Sequence, residues 1–277
     1  MISNRLINTK EGIVEYSSCG SGIPILFVHG GHVNSQFTLP YKGIDLQKFN
    51  LITPSRPGYG KTPLGNNKTP GQTAKLFIAL LDALNIKKVI VYGTSAGGLT
   101  ALEIAAHFPD RVDKLILVSA VTMDWLDKKG KTYRGAKIIF NPNVEWLTWG
   151  MVRLLLIISP TLLVKSFFSN LSTASANNLP IDEVSELAGL LRTFRSKRGF
   201  INDIDQTINV GILRQIKCST LVLHSRFDNS VSIEHAENAK KEIPNSKLYV
   251  LDNFWGHMIW IGKDYKIAGK LILDFIN

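Results

Sequence analysis

The chain has 277 residues, of which 45% are apolar and 19% are charged. This composition is typical of a globular protein with a sizeable core and excludes an intrinsically disordered chain. The formal net charge is +10, but no polybasic run or RNA-binding motif accompanies it, so we expect no nucleic-acid partner. Cys19 and Cys218 are too few for a disulfide framework, and no residues have metal-ligand spacing, so the sequence predicts neither a metal nor a cofactor.

The first part of the chain alternates predicted strands and helices. Residues 1–6 lack an apolar stretch long enough for a secretory signal, so we expect a cytoplasmic protein. We also expect a monomer or a homodimer. Strands are predicted at 5–9 and 12–18, which form a hairpin, and at 23–28, 51–53, 88–92 and 112–119. Helices are predicted at 70–86 and 99–107. This alternation indicates a parallel sheet with covering helices.

The strongest local signal is GTSAGG, residues 93–98, where an apolar strand gives way directly to a helix. A serine held in a sharp strand-to-helix turn needs neighbours without side-chain bulk, and Gly93 and Gly97 meet that need. The Ser95 hydroxyl would then project from the sheet and could attack a substrate. The amide of Ala96 lies at a helix N-terminus and could stabilise a developing oxyanion. The alternative is a glycine-rich turn without chemistry.

A second loop, His29-Gly30-Gly31-His32, follows the predicted strand 23–28. A loop leaving a central strand can place a backbone amide beside the nucleophile, and we assign Gly31 as this second oxyanion donor. His32 could face a substrate. His29 is assigned a structural hydrogen-bonding role.

The strand-helix alternation stops between residues 122 and 211, which carry helical periodicity and few strand signals. We predict that this segment is a helical cap, inserted between two core parts at 1–121 and 212–277. Its most apolar stretch, 146–168, is interrupted by Arg153, Pro160 and Lys165, so it cannot be a membrane span and we expect no membrane contact. These helices could pack on the core or line an apolar pocket above the serine. The candidate pocket residues are His32, Trp146, Trp149 and Leu155.

The last third returns to strands at 219–224 and 247–251 and helices at 233–241 and 258–275. Asp228 follows the first of these strands and His257 the second. Ser95, Asp228 and His257 would therefore meet at the carboxyl edge of one parallel sheet, as nucleophile, orienting acid and base. Asp124 is an alternative acid. The other histidines, His107, His224 and His235, are interpreted as structural, and His235 is expected on a surface helix.

With these residues the chain resembles the α/β-hydrolases of the lidded type. The matching motifs are HGG (29–31), RPGYG (56–60), GTSAGG (93–98), LVLHSRFDNSV (221–231) and a late GH (256–257). The resemblance covers about residues 23–275 outside the cap. It implies a mostly parallel eight-stranded sheet flanked by helices, with the cap after the sixth strand, and the triad and oxyanion roles given above. Ser55 and Ser225 depart from the family pattern, which more often has an acidic residue and a glycine there.

The resemblance implies a serine hydrolase that acts on a small to medium, largely apolar acyl substrate through an acyl-enzyme. A carboxylic ester is preferred over a thioester or amide. Peptidase, carbon–carbon hydrolase and perhydrolase activities occur on the same fold, but HGGH lacks the Gly-Pro pattern seen in proline iminopeptidases and carbon–carbon hydrolases. Two alternatives of another kind are a ligand sensor that signals through the cap and a lipase that works at a membrane surface.

Overall fold

An eight-stranded sheet forms the centre of the protein, and the computed structural model describes residues 4–176 and 179–277. The strands are β1 (Asn4–Thr9), β2 (Gly12–Gly20), β3 (Ile23–Val28), β4 (Phe49–Pro54), β5 (Val89–Thr94), β6 (Val112–Val118), β7 (Ser219–Ser225) and β8 (Ser246–Leu251). Their spatial order is β1-β2-β4-β3-β5-β6-β7-β8. The pairs β1–β2 and β2–β4 are antiparallel, and every later pair is parallel. The predicted fold class is confirmed.

Four helices cover the two faces of this sheet. They are α1 (Pro70–Ala83), α2 (Gly97–His107), α8 (Ile233–Glu242) and α9 (Tyr265–Ile276). Side chains alternate along the central strands: Leu26 packs with the core under α1, α2 and α8, and its neighbour Phe27 packs with the core under α9. Burial on both faces explains why these strands are apolar throughout.

The last helix begins later than predicted. Residues 258–264 form turns instead of the start of α9. In these turns Ile259 and Ile261 are fully buried, and Gly262 has a φ of +73°, outside the helical region. Helical spacing of apolar residues alone could not reveal this break.

Among the described residues between β6 and β7, in the segment predicted as the cap, five α-helices are formed. They are α3 (Lys131–Ile139), α4 (Glu145–Ile158), α5 (Pro160–Leu171), α6 (Ile181–Thr193) and α7 (Gly199–Asp205). Trp149, Leu156 and Phe168 are among the buried residues of the core that α4, α5 and α6 share. The apolar stretch 146–168 is divided between α4 and α5 at Pro160. Across residues 4–176 and 179–277, no helix has the length and apolarity needed to cross a bilayer.

His235 is buried on α8, which corrects the prediction of a surface position. Its side chain is 2% exposed, and its Nδ1 accepts a hydrogen bond from the amide of Thr122, 3.1 Å away, at the start of the cap. Burial, followed by the nearby His224, lowers the pKa of His235 to about 4 from its ordinary 6.5. The imidazole is therefore neutral at neutral pH, as its acceptor role requires.

We expect the protein to lose stability on mild acidification because of this histidine. The unfolded chain protonates His235 near its ordinary pKa, whereas the folded protein resists protonation until about pH 4. The neutral His235 therefore contributes fully to the free energy of unfolding at pH values above its pKa in the unfolded chain. This contribution is lost as the pH falls toward the pKa of His235 in the folded protein. It amounts to about 1–2 kcal/mol between about pH 7 and about pH 5. Urea unfolding at the two pH values measures it.

The variant His235→Asn is the matched test, because its amide oxygen can occupy the Nδ1 position and does not titrate. It should show a shallower dependence of stability on pH than the wild type. If the free energy of unfolding varied with pH equally in the wild type and in His235→Asn, His235 would not be the source of this pH dependence.

Candidate active site

Ser95 lies in a strained turn between β5 and α2. Its φ is +49°, a left-handed conformation that serine rarely adopts. The turn depends on its glycines. A Cβ on Gly97 would come within 2.3 Å of the Val28 carbonyl oxygen, and one on Gly93 within 2.5 Å of the Ala101 Cβ. Larger residues would push the helix away from the sheet, so these glycines fix the position of the serine.

Three side chains form a continuous hydrogen-bonded chain. The Ser95 Oγ lies 3.0 Å from Nε2 of His257, and Nδ1 of the same ring lies 2.9 Å from Oδ2 of Asp228. Oδ1 of Asp228 accepts hydrogen bonds from the amides of Ser230 and Val231, each at 2.9 Å. Because the carboxylate is fixed from behind, it holds the imidazole with Nδ1 as donor and Nε2 directed at the serine.

The order of the strands brings these three groups together. Ser95 follows β5, Asp228 follows β7 and His257 follows β8, so all three lie at the carboxyl edge of the parallel strands. The last residue of α5 joins two of these loops, since the Leu171 carbonyl accepts from the amides of His257 and Asn229. The alternative acid, Asp124, is exposed and is not part of this chain of hydrogen bonds.

Two backbone amides border the serine. Ala96 immediately precedes the first residue of α2, and Gly31 belongs to the cavity wall that also contains Ser95. Gly30 packs so closely that a Cβ there would lie 2.8 Å from the Ser95 Cβ. Within residues 4–176 and 179–277, neither the Ala96 amide nor the Gly31 amide donates to a protein acceptor. Neither amide is therefore taken up by a protein acceptor in this part of the chain.

A buried ion pair holds the loop that carries Gly31. Arg56 donates from Nε to the carbonyl of His29 at 2.6 Å and from Nη2 to the carbonyl of Gly30 at 3.0 Å. Its two Nη atoms also reach the carboxylate of Asp203, each at 2.6 Å, and the Tyr59 hydroxyl donates to the same carboxylate at 2.6 Å. Asp203 lies on α7, so a helix between β6 and β7 orients the arginine that fixes the loop carrying Gly31.

The charge states in this network follow from burial and from the ion pair. Burial, and then the adjacent Arg56 charge, lower the pKa of His29, so its ring is neutral, with Nδ1 donating to the Gly30 carbonyl and Nε2 accepting from the Arg56 amide. Burial opposes the charge on Arg56, but Asp203 outweighs it and raises the arginine pKa. The sequence predicted a turn at Arg56, and its partner Asp203 carried no signal.

An apolar cavity of about 710 Å³ opens above the serine. Its wall includes the aromatic residues Phe37, Trp125, Phe140, Phe167, Phe194, Phe200 and Trp260. Its polar members besides Ser95 and His257 include Thr132, Asn170, Asn229 and Ser230. None of the described residues that line it is Lys, Arg, Asp or Glu. The cavity therefore suits an uncharged, largely apolar group next to the reactive hydroxyl.

His32, one of the four predicted pocket residues, lines this cavity. Its ring packs 3.9 Å from that of Phe200, measured between centroids, and its Nδ1 lies 2.8 Å from the Ser196 hydroxyl. Burial, and then the charge of Arg56, lower the pKa of His32 to about 3. It therefore presents a neutral, aromatic surface to the cavity.

The other three predicted pocket residues do not border the cavity. Trp146 and Leu155 are 59% and 40% exposed and face solvent, so their assignment to the pocket is corrected. Trp149 is buried behind the wall, where its ring lies 5.1 Å from that of His32 and its Nε1 donates to Ser196. Helix α4 is apolar on every side, so its periodicity could not indicate which face turns inward.

The similarity to known proteins extends over nearly the whole chain. A family model described as alpha/beta hydrolase fold matches residues 23–137. The uncharacterized hydrolase YcgS of Bacillus subtilis (strain 168) is 36% identical over 98% of this chain and 97% of its own length. A 2-hydroxy-6-oxo-6-phenylhexa-2,4-dienoate hydrolase of Comamonas testosteroni is 23% identical over 97% of this chain and 92% of its own. Among solved structures, an alpha/beta hydrolase fold protein from Nakamurella multipartita has a TM-score of 0.81 and 27% identity, with 98% of both chains covered.

Proposed function

Because this chain belongs to the α/β-hydrolase fold family, we propose that it is a serine hydrolase that cleaves carboxylic esters with a small to medium, largely apolar acyl group. One observation carries the proposal. The hydrogen-bonded chain Ser95–His257–Asp228 ends at the floor of an apolar cavity, with two free amides beside the hydroxyl. This is the geometry that acyl transfer requires.

In the proposed acylation step, Ser95 Oγ attacks the ester carbonyl carbon while Nε2 of His257 accepts the hydroxyl proton. The carbonyl oxygen becomes an oxyanion, to which the amides of Gly31 and Ala96 donate. Asp228 stabilises the imidazolium that forms. When the tetrahedral intermediate collapses, the carbon–oxygen bond to the alcohol breaks and His257 returns the proton to the leaving alkoxide.

Deacylation repeats these steps with water as the nucleophile. His257 removes a proton from water, the resulting hydroxide attacks the acyl carbon, and the proton passes to Ser95 Oγ as the carboxylic acid leaves. The net reaction is ester plus water to acid plus alcohol. Besides the ester and water, the proposed scheme uses the described side chains and amides.

A second candidate is hydrolysis of a carbon–carbon bond, which the printed name of the Comamonas testosteroni relative suggests. The same serine would serve both reactions, so labelling cannot separate them. The uncharged cavity favours the ester, because the described residues of its wall offer no cationic side chain to hold a carboxylate-bearing substrate. Turnover of a panel that contains both substrate classes distinguishes them.

The direct test is labelling with a fluorophosphonate probe, which reacts with activated serines. We expect one adduct, located on Ser95 by mass spectrometry, and turnover of short and medium acyl esters by the unlabelled protein. An adduct on another residue would contradict the mechanism. Ligand-induced stabilisation without turnover of any ester in the panel would instead favour a sensor.

The cavity wall offers a test of acyl-chain selectivity at Gly135. Thr132, Gly135, Ala136 and Ile139 of α3 line the cavity with the i, i+3, i+4, i+7 spacing of one helix face, and a Cβ at Gly135 meets nothing within 4 Å. Leucine at this position should fill part of the cavity. We expect Gly135→Leu to lower kcat/KM for medium acyl esters about tenfold relative to an acetyl ester.

Gly150→Leu, on α4, is the matched control. A Cβ there also meets nothing within 4 Å, but Gly150 does not border the cavity. Both substitutions remove a helical glycine and should raise helix stability by up to about 1 kcal/mol. Equal selectivity in the two variants would exclude this part of the cavity as the acyl site.

A further inference from the structure

Helix α4 exposes an apolar face. Six of its side chains are each more than half exposed: Trp146, Leu147, Met151, Leu154, Ile157 and Ile158. The opposite face buries Trp149 and Leu156 in the core of the cap. No residue in the described parts of the chain covers the outer face. An exposed apolar surface of this kind on an otherwise water-facing protein marks a contact site.

The segment that contains α3, α4 and most of α5 is rich in basic residues. Between residues 128 and 170 the sequence has seven Lys and Arg and a single acid, Glu145. That acid is buried and paired with Arg195 at 2.7 Å, and the cation of Lys137 is neutralised by Asp205. The exposed cations of this segment are Lys128, Lys129, Lys131, Arg134 and Lys165. The segment that carries the apolar face is therefore basic.

The apolar face is continuous with the mouth of the cavity. The Thr148 hydroxyl on α4 donates to the carbonyl of Ile139 at 2.6 Å, which joins α4 to the end of α3. Ile139 lines the cavity and is about half exposed, and its neighbour Ile138 is largely exposed. Apolar surface thus runs from α4 to the entrance above the serine.

We propose that the outer face of α4 docks the protein on the surface of an anionic lipid bilayer, with the helix lying in the plane of the interface. Large apolar side chains with cations beside them are the combination that interfacial helices use. This surface contact departs from the expectation of no membrane partner. It is not insertion, since α4 has 14 residues and spans about 21 Å, less than the hydrocarbon core. Two copies of the chain paired through this face would bring like charges together.

If the proposed ester hydrolysis holds, docking places the cavity entrance against the lipid, and apolar esters can enter directly from the bilayer. The docking step itself is independent of catalysis. Its test therefore uses binding as the readout, and the Ser95→Ala variant should bind as the wild type does.

Co-sedimentation with vesicles tests the proposal. We expect the protein to bind vesicles of phosphatidylcholine mixed with phosphatidylglycerol, to bind pure phosphatidylcholine less, and to be released by high salt. Ile157→Asp should lower the partition coefficient about tenfold or more. Ile267→Asp, at a comparably exposed isoleucine on α9, is the matched control and should leave binding unchanged.

Two results would overturn the proposal. One is equal vesicle binding by Ile157→Asp and Ile267→Asp. The other is a concentration-dependent dimer in light scattering that Ile157→Asp dissociates, without vesicle binding by the wild type. Hydrolysis of a water-soluble short-chain ester and the melting temperature confirm that the variants are folded. If that hydrolysis is missing from the wild type while vesicle binding remains, the proposed activity fails and the docking surface stands.

Discussion

Replacing Ser95 with alanine should reduce ester hydrolysis by about ten-thousandfold or more, because the acyl-enzyme can no longer form. The loss should lie in kcat, and substrate binding should persist, since the cavity is unchanged. The measurement is steady-state hydrolysis of a short acyl ester with a parallel melting curve. Residual activity would come from water bound at the two amides and the imidazole.

Ser119 provides a closely matched control. It is a buried serine just after β6, with a φ of +46°, and its hydroxyl has no hydrogen-bond partner among the described residues. Ser119→Ala therefore imposes the same backbone requirement and removes the same hydroxyl without touching His257. It should retain wild-type turnover. If Ser95→Ala retained comparable turnover too, the nucleophile would have to be another residue.

The second large effect is expected for Asp203→Asn. This change leaves the buried Arg56 guanidinium without its charge partner, which typically costs about 3–5 kcal/mol of stability. It should also lower kcat, because Arg56 fixes the carbonyls of His29 and Gly30 next to Gly31, whose amide we propose as an oxyanion donor. Urea unfolding and kcat on a soluble ester are the two measurements.

A double variant separates the two effects. Replacing the pair by apolar residues, Arg56→Met with Asp203→Leu, removes both buried charges and should recover much of the stability. It should not recover kcat, because the arginine's hydrogen bonds to the two loop carbonyls remain absent. Full activity in a stable double variant would show that the pair stabilises the fold without positioning the oxyanion loop.

Local sequence was sufficient where backbone chemistry and side-chain periodicity agree. Apolar β-branched strands and the glycines around Ser95 predicted the sheet and the turn, and the positions of Asp228 and His257 after later strands predicted their convergence. Each of these signals lies within a short stretch of sequence, although the stretches are far apart in the chain. The order of the strands then brings the distant pieces to one edge.

Other features depend on packing that no local pattern records. The contact between Arg56 and Asp203 joins residues 147 positions apart. The sequence cannot show which face of α4 is buried, because its exposed face is apolar as well. For this reason Trp146 and Leu155 were predicted in the pocket although both face solvent. The burial of His235 follows from its contact with Thr122. Cap boundaries at residues 122 and 211, the cytoplasmic location and the monomeric or dimeric state stay predictions.

The reach of Asp203 from α7 to Arg56 limits how this protein can be re-engineered. Deleting the helices between β6 and β7 to obtain a smaller protein would remove Asp203. The buried Arg56 guanidinium would then have no carboxylate partner beneath the candidate active site. A chimera that receives the corresponding helices of a relative needs a carboxylate at the position of Asp203, beside Arg56. Shuffling of these segments is therefore constrained by one acidic side chain as well as by the shape of the cavity.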